Sequence, residues 1–397
     1  MYEGNSTEYI MKIFLKKNEE RRILSGHLWV FSNEIDYIDN VTSDYGIADL
    51  YSYGKRFLGR GFYNKKSLIA FRLITYKKED IDFNFFKKRI VDANNRRIKV
   101  FPDKKVYRVV NAESDFLPGL IIDRFDDYIS FQISSVGIEL FKKEIIDLID
   151  LVFSPKYIIE KNNIPSRELE GLTLSQSVIK SSGESEKTVI IDDIKYIINL
   201  EEGQKTGFYL DQNENRKEIR KYVNKDSIVL DLFCYEGGFS LNAAHKGAKE
   251  ITGIDSSEKA IKRAIRNSEL NNFRNVEFIE KDVFSFLNEE NQQKYDIIIL
   301  DPPSFAKTKK NIKTAFEGYL EINTKAIKLL KRNSILITFS CSHHLTEEKF
   351  LTILGKSARK SGRDIKIIAS SKCSYDHPIL PQMPETIYLK GFTLFVV

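Results

Sequence analysis

The clearest pattern of apolar and polar positions lies in the second half of the chain. Short apolar runs of strand length, "SIVLDLF" (227–233), "EITGID" (250–255), "VEFIEKD" (276–282), "YDIIILD" (295–301) and "SILITFS" (334–340), recur there at intervals. Between them lie stretches with helical spacing. "SLNAAHKG" ends on Gly247, a residue suited to the left-handed helix terminus, and "SSEKAIKRAIRNSELNN" opens on Ser256 or Ser257 as cap. Apolar strands alternating with helices predict an α/β fold with a doubly wound, parallel sheet covered on both faces. Right-handed crossovers leave few topologies for it. The tail, "ETIYLKGFTLFVV", reads as a hairpin-style last strand, antiparallel to the rest.

The first 75 residues differ. "KIFLKK", "HLWVFSNEI", "GIADLYSYG", "RFLGRGFYN" and "LIAFRLI" are short runs divided by Gly, Asn and charged turns, as in a small β-barrel. Trp29 is expected in its core. "FNFFKKRIVDANNRRIKV" (83–100) has helical periodicity and opens an α+β middle segment. There, "LPGLIIDRFDDYISFQIS" (117–134) predicts two strands about an Asp-rich turn, and "IELFKKEIIDLIDLV" a helix. The expected domains are 1–75, 76–185 and 186–397, with "TVIIDDIKYIINLEEGQKTGFYLDQNENR" (188–216) leading into the last.

Composition narrows the class of protein. The chain has 397 residues, 42% hydrophobic and 30% charged, and no apolar run near the ~18–20 residues of a membrane span. No secretory signal pattern opens it. Cys234, Cys341 and Cys373 form no CxxC pair, so a reducing, cytoplasmic setting is expected in place of a disulfide framework. His27, His245, His343, His344 and His377 have no metal-ligand spacing, and no metal is expected. The net charge of +6 is a weak lean toward a polyanionic partner.

Ligands of open α/β sheets bind beyond the carboxyl ends of the strands. Here those ends deliver Asp231 before the turn "CYEGGF", then Asp255, Asp282, Asp301 and, after the fifth strand, Cys341. A dinucleotide site would explain an acid after the second strand, but it also needs G-x-G-x-x-G. Counting back from Gly238, the first two glycine positions hold Phe233 and Tyr235. The fingerprint is absent, which disfavours a nicotinamide oxidoreductase. An acid-ringed turn repels phosphate and suits a cationic, phosphate-free adenosine cofactor, of which S-adenosylmethionine is one. Asp255 would take the ribose hydroxyls, Asp282 the adenine amino group and Asp231 the methionine end, with the 235–239 loop offering backbone groups. Any one such acid is more often a strand-end cap; four after four successive strands favour the cofactor.

The succession "DLFCYEGGFS", "GIDSS", "KDVFSFL", "DIIILDPPSFAK" and "ITFSCS" resembles class I S-adenosylmethionine-dependent methyltransferases. The flanking "GHLWVFSNEI", "ESDFLPGLIIDRFDDYISFQ", "GQKTGFYLDQNENR" and "DHPILPQMPETIYLKG" narrow the resemblance to ribosomal large-subunit RNA cytosine-5 methyltransferases with an N-terminal PUA domain. The resemblance spans nearly the whole chain. It implies a Rossmann-like sheet, ribosomal RNA as substrate and a cofactor site extending to Phe208, Asp211, Gln212, Phe233, Tyr235, Gly237, Ser256, Val283 and Asp301. A homodimer enters on the resemblance alone. Phe208 and Tyr209 are read equally well as adenine-stacking rings or as the lead into an ordinary helix that carries Arg216.

Two prolines cannot continue a sheet, so "DPPS" (301–304) turns the chain out of the core. In nucleic-acid methyltransferases this turn meets the target base. Pro302 and Pro303 would form its platform, with Asp301 on the base edge and Lys307 nearby. An aromatic residue after the prolines suits methylation of an exocyclic amine, whereas Ser304 cannot stack. Carbon 5 of cytosine needs a thiolate added at carbon 6, and Cys341 is the best-placed thiol. Read alone it would be a small core residue; the preceding turn favours the nucleophile. Lys307, Lys309 and Lys310, or the RNA-bound state, would supply the positive charge that favours thiolate, and His343 either approaches it or starts a helix. Cys234 falls in the cofactor turn and Cys373 outside every motif. A related cytosine-5 family places a second cysteine in the proline turn to release product; here Ser304 or a water must serve.

Lys16, Lys17, Arg21, Arg22, Lys55, Arg56 and Arg60 are the first-domain cations available to RNA phosphates, and 307–313 is the basic stretch beside the site. Two rivals stay in view: methylation of an amino group or guanine without a covalent adduct, and an RNA-binding protein without activity.

Overall fold

The computed structural model describes residues 10–290, 293–305 and 311–397. Lys307, Lys309 and Lys310 lie outside the described residues. The chain divides into two compact units: 1–187 with 198–210 and 375–386, and 188–197 with 211–374 and 387–397.

The first unit holds two sheets. One is six-stranded, in the order Trp29–Val30, Phe71–Thr75, Phe57–Asn64, Tyr45–Tyr51, Met11–Leu15, Ile35–Asp39. Met11, Ile13 and Leu15 alternate inward to a core with Leu50, Phe71 and Leu73, and Trp29 packs against that core from a partly exposed position. The indole Nε1–H donates to Glu113. The other sheet is five-stranded, running from Gln176–Ser181 through Tyr157–Lys161, Tyr128–Ile133 and Leu120–Phe125 to Val106–Asn111. Helices Phe83–Val100 and Lys142–Phe153 contribute Phe86, Ile90, Ile145 and Leu148 to the same apolar cluster as its strands. Asp82 caps the first of these helices by accepting from the Phe85 N–H.

One expected phosphate ligand is instead structural. Arg60 is buried, and its guanidinium grips Asp49 through Nε (2.7 Å) and Nη2 (3.3 Å). The register of the two strands sets residues 49 and 60 opposite each other, and a buried charge is tolerable only when so paired. Lys16, Lys17, Arg21, Lys55 and Arg56 are exposed, while Arg22 is half-buried against Glu34.

The second unit is built on a seven-stranded sheet. Its strands are β1 (Ile228–Leu232), β2 (Glu250–Asp255), β3 (Val276–Glu280), β4 (Tyr295–Leu300), β5 (Leu330–Ser340), β6 (Ile365–Ser371) and β7 (Lys390–Val396). Their spatial order is β3-β2-β1-β4-β5-β7-β6. The first five are parallel, and β7 is inserted antiparallel between β5 and β6. The continuous apolar runs of β1 and β4 are buried because helices cover both faces of a parallel sheet. Strand order reverses between β1 and β4, so the crevice beyond their carboxyl ends is the place for a ligand. Among the described residues no helix is long and apolar enough to cross a membrane.

Candidate active site at the carboxyl ends of the strands

The exits of β1, β2, β4 and β5 and the short helix Asn213–Glu218 meet around the β1–β4 crevice. After β1 the chain turns through Phe233, Tyr235 and Gly237, with φ of 65°, 49° and 81°, before the helix Gly238–Lys246. Left-handed backbone is costly for residues bearing a side chain. The turn is pinned to the end of β2 by two successive residues: the Cys234 N–H donates to the Ile254 carbonyl (3.0 Å), and the Tyr235 N–H to Asp255 Oδ2 (2.9 Å). Gly237 and Gly238 leave no room for a methyl group. A Cβ at 237 would sit 2.7 Å from Phe278 Cζ, and one at 238 would sit 2.5 Å from Arg216 Nε.

Each acid has its own setting. Asp231 is fully buried; its Oδ2 accepts from the Ser240 N–H (2.9 Å) and Oγ–H (2.7 Å), and its Oδ1 has no hydrogen-bond partner among the described residues. Burial pushes its pKa up to about 6, against the pull of the Ser240 bonds. Asp255 is half-buried and also accepts from the Ser257 N–H (2.9 Å), while Ser256 is exposed. Asp282 caps the helix Val283–Glu289 by accepting from the Ser285 N–H, and Val283 is core. Asp282 thus does cap a helix; its exposed position leaves lone pairs for a further donor.

Asp301 follows β4, and its backbone N–H donates to the Leu232 carbonyl (3.3 Å). Gln212 Nε2 donates to its Oδ1 (2.9 Å); Asn215 holds that amide in orientation by donating to Gln212 Oε1 (2.6 Å). Burial raises the Asp301 pKa to about 7; the nearby Asp211 adds to the rise, while Arg216 and the Gln212 bond oppose it. Asp211 is itself buried and accepts from the Tyr388 hydroxyl (2.6 Å). Phe208 is buried too, but with the first unit.

Cys341 leaves the end of β5 half-buried, and its Sγ–H donates to the Pro302 carbonyl at 3.7 Å. The proline turn and the thiol are therefore in contact. Ser304 Oγ lies 3.0 Å from Ser342 Oγ, which is also 3.2 Å from the hydroxyl of the buried Tyr319. Pro303 is exposed and Pro302 buried, so one face of the turn is anchored and the other open. Cys234 is buried, and that burial, with Asp231 and Asp255 beside it, pushes its thiol well above the usual range. It is a poor source of thiolate.

Sequence reasoning missed Tyr319, Ser342 and Lys390. Lys390 is buried on β7, and its Nζ donates to the Ser342 carbonyl (2.8 Å). Its signal was a lone lysine at the head of a mostly apolar final strand, because lysine is rarely buried without a partner.

A methyltransferase-domain family model matches residues 223–375, and a PUA-like domain model residues 13–76. Over 390 residues the chain is 36% identical to ribosomal RNA large subunit methyltransferase I of Aeromonas salmonicida, covering 96% of this chain and 98% of that protein. The protein of the same name from Escherichia coli is 33% identical over 397 residues, covering 98% of this chain and 100% of its own. The chain belongs to the ribosomal RNA large subunit methyltransferase I family. Its fold matches that of a Streptococcus mutans protein described as a SAM-dependent methyltransferase, with TM-score 0.82, 24% identity and coverage of 97% and 99%. A methyltransferase structure complexed with SAH, also 24% identical with coverage of 97% and 99%, matches with TM-score 0.83.

The residues of this crevice suit an adenosine cofactor. The chain supplies a sterically closed glycine turn, a sealed carboxylate with an unpartnered oxygen and two further acids at successive strand ends.

Proposed function

We propose that this methyltransferase forms 5-methylcytosine in large-subunit ribosomal RNA through a covalent adduct of Cys341 with the base. S-adenosylmethionine supplies the methyl group. Asp255 would accept from the ribose hydroxyls, Asp282 from the adenine amino group, and the backbone of the 233–238 turn would face the methionine portion. Asp231 acts by fixing the end of that turn through Ser240. Gln212, with Asp211 behind it, reaches the crevice through Asp301.

The observation that carries the reading is the contact between Cys341 Sγ and the Pro302 carbonyl. It supports a thiol held at the edge of a platform that receives a base. Asp301 keeps its proton to about pH 7, and a neutral carboxyl matches the cytosine edge: the O–H donates to the ring nitrogen while the other oxygen accepts from the amino group. Donation to the ring nitrogen draws electrons from carbon 6, where the Cys341 thiolate adds. Carbon 5 then becomes nucleophilic and is methylated. Loss of its proton to a water beside Ser304 restores the double bond and releases the thiolate. Exposed lysines and arginines of the PUA-like segment, Lys16, Lys17, Arg21, Lys55 and Arg56, are assigned to RNA phosphates.

The test is transfer of labelled methyl to large-subunit ribosomal RNA followed by nucleoside analysis. Wild type and Cys234→Ala should yield 5-methylcytosine, and Cys341→Ala none. Label on another nucleoside, or activity in Cys341→Ala, refutes the covalent cytosine mechanism.

A further inference from the structure

We infer that Lys390 is the cationic partner of the Cys341 thiol, a role that rests on Cys341 being the nucleophile. The antiparallel register of β7 on β5 sets Lys390 opposite Ser340, and its Nζ donates to the carbonyl of Ser342 at 2.8 Å. The lysine is thereby fastened to the residues on both sides of Cys341. It is 5% exposed, in a strand where Phe392, Leu394 and Val396 are core. A lysine so buried needs a charged reason to be there.

The surrounding groups define what that reason is. Burial lowers the Lys390 pKa, while Cys341, then Cys373 and Glu347, hold it up. Tyr319 faces the thiol from the neighbouring helix; burial and Cys341 push its hydroxyl up to about 12, so it stays neutral. Asp301, in the β4 turn, acts on Tyr319 and, below about pH 7, is neutral as well. His343 is exposed and leans on the Tyr388 ring at 5.5 Å. Among the described residues, Lys390 is therefore a buried cation coupled to the thiol.

Burial penalises a lone ammonium and a lone thiolate alike, but the two together stabilise each other. The Cys341 S–H bond breaks with its proton passing to water, which the half-buried thiol can reach, and the Lys390 ammonium holds the resulting thiolate as an ion pair. In the final step the carbon 5 proton passes to water, the carbon 6–sulfur bond breaks with its electrons on sulfur, and the ammonium receives the thiolate. Lys390 thus stabilises the leaving sulfur where the proline turn carries Ser304 in place of a second cysteine. It is a positioning residue, acting through Cys341.

The experiment follows alkylation of Cys341 by iodoacetamide from pH 5 to 10, read by peptide mass spectrometry so that Cys373 is scored separately. The full-length protein is compared with Lys390→Met and Lys390→Arg. The midpoint for Cys341 should rise by about one pH unit or more in Lys390→Met and stay near wild type in Lys390→Arg. An unmoved midpoint in a folded Lys390→Met protein overturns the inference. If that variant does not fold, the thiolate absorbance of wild type minus Cys341→Ala decides: a midpoint below ~8.5 supports the pair, and one at or above it refutes it. Methyl transfer by Cys341→Ala separately tests the nucleophile, so failure of either idea is read independently.

Discussion

Replacing Asp301 by Asn tests whether the acid of the proline turn is held neutral. The folded chain keeps the Asp301 proton to about pH 7, against an ordinary value of 3.8. The gap of about three units, at ~1.4 kcal/mol each, sets a ceiling of about 4 kcal/mol on the cost of ionising this group in the fold. Residual exposure of the side chain screens part of it, leaving about 2 kcal/mol as the working figure. The sign follows from the proton inventory. Between pH 4 and 7 the unfolded chain has released the proton and the native chain has not, so stability falls as pH rises through that window. Asn copies the neutral acid and still accepts from Gln212 Nε2. Asp301→Asn should therefore melt with wild type at pH 4 and higher than wild type at pH 8. The expected gain is about 4–8 °C at 2–4 °C per kcal/mol. Methyl transfer should meanwhile fall by about 10²-fold or more, since an amide N–H is a far weaker acid than the carboxyl and polarises the ring nitrogen much less. A melting difference that is the same at both pH values would refute a neutral, buried Asp301.

Two further outcomes follow from packing. Gly238→Ala drives a methyl into Arg216, at 2.5–3.0 Å from its Nε, Cδ and Cζ. It should cost about 1–3 kcal/mol in a denaturant melt and weaken S-adenosylmethionine binding by calorimetry; unchanged values for both would mean that the turn repacks freely. Arg60→Met leaves Asp49 buried and unpaired. It should destabilise the protein by about 3–5 kcal/mol with no change in the salt dependence of RNA binding, whereas Lys55→Ala should reduce that dependence at unchanged stability. An Arg60→Met protein of wild-type stability would return Arg60 to the phosphate ligands.

The sheet was legible because the apolar runs that become β1, β2, β4 and β5 have strand length, and each is closed by an acid or followed by a cysteine. The turn after β1 was legible only in part. The missing glycines at 233 and 235 excluded the dinucleotide fingerprint, yet the backbone there is left-handed all the same. Two backbone N–H bonds to the end of β2, at Ile254 and Asp255, stabilise what composition alone would argue against. Arg60 was misread because "RFLGRGFYN" presents its arginine without the partner that buries it, an aspartate 11 positions earlier on the neighbouring strand. Lys390 was hidden for a related reason. Its distance from Cys341 along the chain says nothing until the last strand is threaded antiparallel between β5 and β6, and only that register sets it against Ser340. Sequence pattern reports which residues leave a strand end together; it does not report which residue an inserted strand brings back to them. The acids came from the first kind of signal, the lysine beside the thiol from the second, and the chemistry proposed at Cys341 needs both.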